Sequence, residues 1–417
     1  MSRRIDDNLQ MFSNNRCRHG VNNAHLNVKL LILIDKPLFP DSSYAYNELA
    51  ERGYELTVVS VNHEDVSYEI PLKFRHVRKD FKRMGGFVWL KDFSVAMCDD
   101  YDYVIITPNF RVLNFAPLYG KKYRERMLAW GHLKGCTSAN PVAAWIRRPV
   151  LRRMQALIFY EAGTRDEFVK TGFPSDMLFV ANNTQYVDPD TVRLGEHKEY
   201  FLYVGRIQER KGLELALRAF AKVKKEANDD NLRFVIVGDG DRKPLEAIAQ
   251  EEGIIEAVLY TGAVHDQKRL GEIFSHAIAY VSPGHVGLGV LHSMACGVPV
   301  ITCTGRLHSV EISNCKEDNS LVVPYTIEDV AEAMRTLYSD KDSYMSEAAY
   351  KYYHENCTID KMVDGIDNAL KYVTSMKSVI EKTGITPPHL GNVYPIGFAA
   401  IMRLSSRTSS KERRMAV

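Results

Sequence analysis

The chain has 417 residues, more than one typical domain holds, so two domains of roughly 150–200 residues are expected. Hydrophobic residues make up 45% and charged residues 25%, which is ordinary for a soluble globular protein and excludes a disordered or fibrous chain. The formal net charge of +2 argues against a protein built as a whole to bind nucleic acid.

The cysteine pattern and the N-terminus bear on where the chain resides. Seven cysteines are scattered without a CxxC pair or metal-ligand spacing, which predicts reduced thiols and no metal site. Residues 1–27 are polar and rich in Asn and Arg, lack an apolar signal-peptide core and are expected to form a flexible arm. No run approaches the roughly 20 apolar residues of a membrane span, so we expect a cytoplasmic protein rather than an integral membrane protein.

Residues 28–192 alternate strands and helices in the order typical of a doubly wound domain. The run Lys29–Ile34 predicts a buried strand, Tyr44–Arg52 a helix and Glu55–Ser60 a second strand. The later run Tyr103–Thr107 adds another strand, so we expect a parallel sheet. The first turn lacks a GxGxxG fingerprint, which argues against a dinucleotide dehydrogenase.

A second α/β domain is predicted over residues 193–342, after a polar stretch at 186–198 that we interpret as the linker. The strand Tyr200–Val204 and the helix Leu213–Lys225 repeat the order of the first domain. Two such domains enclose a cleft, and ligands bind at the carboxyl ends of their strands. The segments that follow are predicted to be helices over 343–376 that cross back to the first domain, and a polar, basic tail over 377–417.

The stretch Ser282–Val300 predicts a loop that leads into a helix at the edge of the second sheet. It follows the apolar strand run Ala277–Val281, and its helical face starts near Leu288. Unpaired backbone N–H groups and the helix dipole favour an anion there, and Gly287 and Gly289 let it approach closely. The alternative is an ordinary tight turn of an α/β domain.

A second turn of this kind is Gly205–Gly212, which also joins a predicted strand to a predicted helix. Arg206 and Lys211 bracket this turn. A guanidinium binds phosphate oxygens bidentately and an ammonium acts as a point charge, so the pair suits a diphosphate. Alone, the turn is equally typical of a solvated charged loop. The diphosphate interpretation is strengthened because the glycine-rich helix start recurs in the same predicted domain.

Together the two stretches resemble the retaining glycosyltransferases of family 4, over about residues 28–372. The resemblance implies an α/β GT-B fold, in which two Rossmann-like doubly wound domains face a cleft. It also implies that the turn Gly-Arg-x5-Lys-Gly grips the diphosphate of a nucleoside-diphosphate sugar, and that Val264 lies near the base. The residues assigned in this way to the donor diphosphate and sugar are Gly205, Arg206, Lys211, Gly284, His285, Gly287 and Leu288.

The chain departs from the family's Glu-x7-Glu motif, whose two positions fall on Gly284 and His292. In the family the first glutamate contacts the hydroxyls of the sugar and the second contacts the ribose. The resemblance assigns His292 to the nucleoside, because an imidazole still hydrogen-bonds to hydroxyls, whereas Gly284 offers only its backbone and His285 is expected to reach the sugar. The pattern Pro-Gly-x-Val-Gly-Leu-x-x-Leu-His indicates a subgroup of the family, and an inactive copy is the alternative. Glu311 stands at the acidic position of the family's Gly-x-x-Glu loop, with its role open.

His132 follows the apolar run Met127–Trp130, at a position where many family members carry a histidine that faces the cleft. The resemblance implies that it contacts the donor sugar or the leaving phosphate, and a structural histidine is the alternative. Retaining transfer in this family is described as front-face, with the leaving phosphate helping to deprotonate the acceptor. The catalytic residues are then His132, Arg206 and Lys211, which orient the donor and stabilise the leaving diphosphate. Beyond the nucleoside-diphosphate sugar as co-substrate, no cofactor and no metal are expected.

A basic segment at residues 144–153 is a candidate for peripheral contact with an anionic membrane surface, which would bring a lipid-linked acceptor within reach. A solvated helix flank is the alternative, since Pro149 interrupts a long amphipathic helix. The basic residues of the segment are Arg147, Arg148, Arg152 and Arg153. The residues that would extend the patch are Lys82, Arg83, Phe87 and Trp89.

These observations predict a cytoplasmic or membrane-peripheral retaining glycosyltransferase. It transfers a hexosyl or related sugar to a glycan, a lipid-linked acceptor or another hydroxyl, and has no nucleic-acid partner. The missing glutamates leave a second hypothesis open, a non-catalytic sugar-nucleotide-binding or scaffold protein of the same fold. A GT-B epimerase or phosphorylase is less favoured, because the sequence shows no lysine-centred cofactor site for a phosphorylase.

Overall fold

The computed structural model describes residues 28–62, 70–133, 147–194, 197–340 and 344–383. The predicted N-terminal arm, residues 144–146 of the basic segment and the tail from 384 onward lie outside these residues.

A parallel sheet fills the first half of the chain. Its strands are β1 (Lys29–Leu33), β2 (Glu55–Val61), β3 (Arg75–Lys79), β6 (Tyr103–Ile106), β7 (Met127–Gly131), β8 (Ala156–Phe159) and β9 (Leu178–Val180). They lie in the order β3-β2-β1-β6-β7-β8-β9. A separate antiparallel pair, β4 (Phe81–Met84) and β5 (Phe87–Leu90), follows β3.

Both faces of this sheet are buried, as its continuous apolar strands require. Leu31 and Leu33 of β1 pack into the core on one face, while Leu30 and Ile32 pack into the core on the other. The first helix, α1 (Pro40–Glu51), begins before the predicted start at Tyr44, because proline is accepted in the first turn of a helix.

A second parallel sheet fills the second half of the chain. Its strands are β10 (Tyr200–Val204), β11 (Arg233–Val237), β12 (Val258–Gly262), β13 (Ala277–Val281), β14 (Val300–Cys303) and β15 (Ser320–Val323). They lie in the order β12-β11-β10-β13-β14-β15, around a core separate from those of the first sheet. The predicted pair of doubly wound parallel domains is therefore confirmed.

The helices pack on the faces of the two sheets. They are α2 (Ala162–Lys170), α3 (Leu213–Ala227), α4 (Lys243–Glu251), α5 (Gln267–Ser275), α6 (Gly289–Ala295), α7 (Ile327–Ser339), α8 (Tyr344–Asn356) and α9 (Ile359–Thr383). The last helix returns to the first domain, where Val363, Ile366 and Leu370 are buried in the core that also holds Leu30. Two domains are thereby joined twice, through the linker and through α9.

The edge strand β3 and the hairpin of β4 and β5 were not predicted from the sequence. The residues of β3 read Arg-His-Val-Arg-Lys, without the apolar run that marks the central strands, because an edge strand is half exposed. All four residues of β4 are exposed. Tertiary contacts rather than local apolar runs therefore decide these strands.

The return of α9 depends on close backbone approach at Gly365. A Cβ atom at this position would lie 2.0 Å from the carbonyl oxygen of Val180 in β9. We expect Gly365→Ala to lower the free energy of unfolding by about 1–3 kcal/mol, although alanine favours a helix, because the added methyl overpacks the contact. Urea unfolding monitored by circular dichroism measures this change.

The matched control is Asn368→Ala on the exposed side of the same helix, which we expect to change the free energy by less than about 0.5 kcal/mol. Equal stability of the two variants would contradict a tight contact at Gly365.

Candidate active site

The two predicted donor-binding stretches meet at the carboxyl edge of the second sheet. The turn Gly205–Gly212 follows β10 and the loop before α6 follows β13, and these strands are neighbours. The backbone N–H of Gly284 donates to the carbonyl of Lys211 at 2.9 Å, and that of His285 donates to the carbonyl of Arg210 at 2.7 Å. The two stretches therefore form one hydrogen-bonded unit.

Gly284 is the point of closest approach between them. A Cβ atom on Gly284 would lie 2.2 Å from the carbonyl oxygen of Arg210, and one on Gly212 would lie 2.9 Å from the nitrogen of Gly284. Real Cβ atoms do not tolerate the first of these distances, so the position admits no side chain. The backbone N–H of Gly284 therefore donates to the carbonyl of Lys211 and is not free to bind a sugar. In this chain, the position that holds the first glutamate of the family motif joins the two loops.

Lys211 extends across this junction. Its ammonium donates to the carbonyl of His285 at 2.7 Å, and a Cβ atom on Gly287 would lie 3.8 Å from its Nζ. Burial, followed by repulsion from Arg210 and Arg206, lowers the pKa of Lys211 to about 8, while Glu311 opposes this shift. The structure thus places Lys211 beside the glycine turn and within electrostatic range of Arg206, while the role of these residues in donor binding stays a prediction.

The helix α6 begins at this turn. The N–H groups of Val290 and Leu291 donate to the carbonyls of Gly287 and Leu288, at 3.1 and 2.9 Å. Gly289 is required by packing, since a Cβ atom there would lie 2.4 Å from the hydroxyl of Tyr280. The start of the helix lies beside the ammonium of Lys211, an arrangement that favours an anion.

Glu311 links this site electrostatically to the first domain. The side chain is 2% exposed, and it accepts hydrogen bonds from Asn183 at 2.5 Å and from the hydroxyl of Ser309. Burial lowers the pKa of His132, and Glu311 is the largest influence that raises it. Since Glu311 acts in the same sense on Lys211, this carboxylate lies within electrostatic range of both predicted catalytic residues.

His132 lies at the carboxyl end of β7, on the cleft edge of the first sheet. The residue as a whole is exposed, but one side of the ring is covered by neighbours such as Tyr160, whose ring centroid is 4.8 Å away, and this partial desolvation lowers the pKa of His132. With its pKa lowered, the imidazole is mainly neutral at pH 7 and is able to donate or accept a hydrogen bond. Its contact with the sugar or phosphate stays a prediction.

His292 is in the interior rather than at the open surface of the site. It is 4% exposed, its ring stacks on Phe274 at 4.6 Å between centroids, and Nδ1 shares a hydrogen bond with Gln185 at 2.9 Å. Burial lowers its pKa to about 4. Because Nε2 is buried and has no partner among the described residues, contact with a ribose requires the ring or its cover to move.

Val264 follows β12 and is half-buried against the core of the second domain. The neighbouring Ala263 donates its N–H to the carboxylate of Asp239 at 3.1 Å. Asp239 belongs to a turn that packs on the turn Gly205–Gly212, since a Cβ atom on Gly238 would lie 1.9 Å from the carbonyl oxygen of Gly205. The predicted base position is thus held at the same sheet edge, and its role stays a prediction.

Sequence reasoning missed Asn183 and Gln185, which bind Glu311 and His292 from the segment between the domains. The only available signal was a polar run after β9. In the described part of the basic segment, Arg148 and Arg152 donate to carbonyls of Thr171 and Gly172, and the membrane contact of this segment stays a prediction. These two arginines are used to hold the first domain together.

Among the described residues, no group of three or more His, Cys, Asp and Glu side chains is placed to hold a metal ion. The described cysteines are free thiols, and Cys98, Cys296, Cys303 and Cys357 are buried. In the same part of the chain, no helix has the length and apolar character needed to cross a membrane.

The fold has solved counterparts, and it is the GT-B fold. A glycosyltransferase from Rickettsia africae superposes with a TM-score of 0.63 at 12% identity, over 83% of this chain and 99% of that chain. The Anabaena protein HepE, in complex with UDP and glucose, superposes with a TM-score of 0.61 at 13% identity, over 83% of this chain and 100% of that chain.

The second half of the chain also matches in sequence. Residues 188–352 match the family model described as Glycosyl transferases group 1. The alpha-D-kanosaminyltransferase of Streptomyces kanamyceticus is 27% identical over 227 residues, which are 49% of this chain and 56% of that protein. The chain thus spans only about half the length of this relative.

The glycine at 284 generates a direct prediction. We expect Gly284→Glu, which supplies the carboxylate found in the family motif, to weaken nucleotide binding rather than improve it. The side chain would displace the carbonyls of Arg210 and Lys211 and lower the free energy of unfolding by about 2 kcal/mol or more. Thermal unfolding with and without UDP measures both effects.

Gly287→Ala is the control for stability, because a Cβ atom there meets only the end of the Lys211 side chain, at 3.8 Å. Unchanged stability and tighter UDP binding in the Gly284→Glu variant would contradict this account of the loop junction.

Proposed function

We propose that the chain is a retaining glycosyltransferase that uses a nucleoside-diphosphate sugar. The observation that carries the proposal is the hydrogen-bonded junction at Gly284, which brings Lys211 and the start of α6 to one sheet edge. The family match over residues 188–352 supports it, as does the likeness in fold to a protein crystallised with UDP and glucose.

In the proposed reaction, Lys211 and Arg206 hold the diphosphate and stabilise the charge that it gains on leaving. Two cations, one of them partly desolvated, form stronger interactions with a dianion than exposed cations do. The bond between the anomeric carbon and the diphosphate oxygen breaks, and the acceptor oxygen bonds to that carbon on the same face. The acceptor proton passes to the leaving phosphate. His132 is proposed to orient the sugar or that phosphate from the first domain.

The acceptor is proposed to be a hydroxyl of a glycan or of a lipid-linked sugar, bound on the side of the first domain. The carboxyl ends of β1, β6 and β7 form that side of the cleft, because these strands are parallel. His132 at the end of β7 then lies between the donor site and the acceptor side.

A non-catalytic sugar-nucleotide-binding protein is the second candidate. One observation favours it: position 284 has no space for a side chain, so the carboxylate that contacts the sugar in the family that this chain resembles is absent. Both candidates predict nucleotide binding, and only the first predicts transfer.

The two are separated by a screen followed by a product assay. A nucleoside-diphosphate sugar at one hundred times its Kd is expected to stabilise the protein by about 2.7 kcal/mol, which thermal-shift measurements with UDP-, GDP- and ADP-sugars detect. Mass spectrometry of reactions with the stabilising donor and hydroxyl acceptors then tests for a glycosylated product, and NMR of its anomeric proton tests for retention.

Arg206→Ala is expected to weaken donor binding by about tenfold or more, because it removes a charge-assisted contact. The matched control is Arg269→Ala, which removes an exposed arginine of α5 that pairs with Glu272 and should leave donor binding unchanged. Binding without product supports the scaffold candidate, and no stabilisation by any donor contradicts both.

The pKa of Lys211 predicts a pH dependence of binding. The ammonium form attracts the diphosphate and dominates below pH 8, so UDP affinity is expected to fall as the pH rises through about 8. Bound diphosphate raises the pKa of Lys211, so the affinity is expected to fall from about pH 8, where the free protein loses this charge, up to the higher pKa of Lys211 in the complex. Isothermal titration calorimetry across this range measures the midpoint.

Two variants test the origin of this midpoint. Lys211→Arg keeps its charge and is expected to flatten the profile. Glu311→Gln removes the carboxylate that raises the pKa of Lys211, whereas Arg206 and Arg210 still lower it. The midpoint is therefore expected to move to lower pH. A midpoint that Glu311→Gln leaves in place would exclude Glu311 from the electrostatics of the site.

A further inference from the structure

The hairpin formed by β4 and β5 projects from the edge of the first sheet that carries His132. It follows β3, and the parallel order β3-β2-β1-β6-β7 places the ends of β3 and β7 at the same edge. The hairpin therefore lies on the cleft side of the first domain, where β5 contacts residues 111–114, which follow β6.

One face of the hairpin is fixed to the domain. Leu90 is 1% exposed, and its N–H donates to the side chain of Asn114 at 2.7 Å. The N–H of Val88 donates to the carbonyl of Arg111 at 2.8 Å. These contacts hold β5 in place and decide which face of the hairpin points outward.

The opposite face combines apolar side chains with a cation. Lys82 pairs with Trp89 and Met84 pairs with Phe87, so by the alternation of strands these four side chains share the face opposite to Leu90. Trp89 is 45% exposed and Met84 is 40% exposed, which is unusual for large apolar side chains in one small element. At the base of the hairpin, Phe81 is 38% exposed.

The charge around this face is strongly positive. Residues 75–92 contain six basic side chains against two acidic ones, whereas the whole chain has a formal net charge of only +2. Lys82 and Arg83 are both exposed, but on opposite faces of the hairpin, because Arg83 pairs with Val88. The guanidinium of Arg83 lies 5.8 Å from the ring centroid of Phe81. The basic charge and the exposed apolar side chains thus occupy the same hairpin.

We propose that this hairpin docks the first domain on an anionic lipid surface, with Trp89 and Met84 inserted at the interface and Lys82 among the headgroups. Arg83, which is exposed on the other face, adds to the positive charge near the lipid. Aromatic and aliphatic side chains interleaved with basic ones are the composition of interfacial membrane contacts, and each cation adds attraction to anionic lipid. Aromatic residues and Met are also enriched in protein–protein interfaces, but lysine is depleted there, so the exposed Lys82 favours a lipid surface over a protein partner. The proposal concerns a surface separate from the donor site and holds whether or not sugar is transferred.

The test uses the full chain and vesicles of phosphatidylcholine with or without about one third phosphatidylglycerol. We expect sedimentation with the anionic vesicles only, weakened by salt. We also expect brominated lipids to quench tryptophan fluorescence in the wild type and in Trp145→Phe, but not in Trp89→Phe. If quenching is lost in Trp145→Phe and kept in Trp89→Phe, the proposal is overturned, because the lipid contact then lies in the basic segment at 144–153.

The charge contribution is tested by Lys82→Ala combined with Arg83→Ala, which we expect to lower the vesicle partition coefficient about thirtyfold. The matched control is Lys268→Ala combined with Arg269→Ala, an exposed basic pair in the second domain, which should leave the partition coefficient within about twofold. Equal effects of the two pairs would overturn the proposal, as would equal binding to neutral vesicles. Concentration-dependent dimers in light scattering that Trp89→Ala abolishes would also overturn it, because a second copy would then occupy the face.

Discussion

The site depends on two backbone hydrogen bonds, from Gly284 and His285 to the carbonyls of Lys211 and Arg210. They join the loops that follow β10 and β13, which are adjacent in the sheet but far apart in the chain. The joint leaves no space for a side chain at 284, and it holds the backbone carbonyl that receives the ammonium of Lys211. Glycine at this position is therefore a condition for the lysine's placement.

This joint concentrates positive charge in a partly desolvated place. Arg206 and Arg210 repel the ammonium of Lys211, and its burial adds a cost that the single carboxylate of Glu311 only partly offsets. An anion bound at the turn would relieve both costs, which is the physical reason that a diphosphate suits this site. The same carboxylate acts on His132, so the electrostatics of the two domains are coupled across the cleft.

The relation between the domains rests on contacts with long sequence separation. Asn183, in the segment between β9 and the linker, donates to Glu311, and Asn182 donates to the carbonyl of Asn356 at the end of α8 at 3.0 Å. The helix α9 then closes the chain onto the first domain, where Gly365 allows it to approach β9. The segment that leads into the linker is thus held by polar contacts from both the second domain and the C-terminal helices.

The sequence by itself determined the two parallel sheets, because apolar strand runs such as Lys29–Ile34 are local signals. It also located the turn Gly205–Gly212, since the spacing of Arg206 and Lys211 is a local signal as well. Only the tertiary structure decided that Gly284 is a packing position, that His292 lies in the interior and that Glu311 faces both catalytic candidates. The tertiary structure also determined where the exposed hairpin of β4 and β5 forms, because these strands contain no buried apolar run. These features depend on which distant segments approach one another, and a side chain's spacing along the chain carries no information about that.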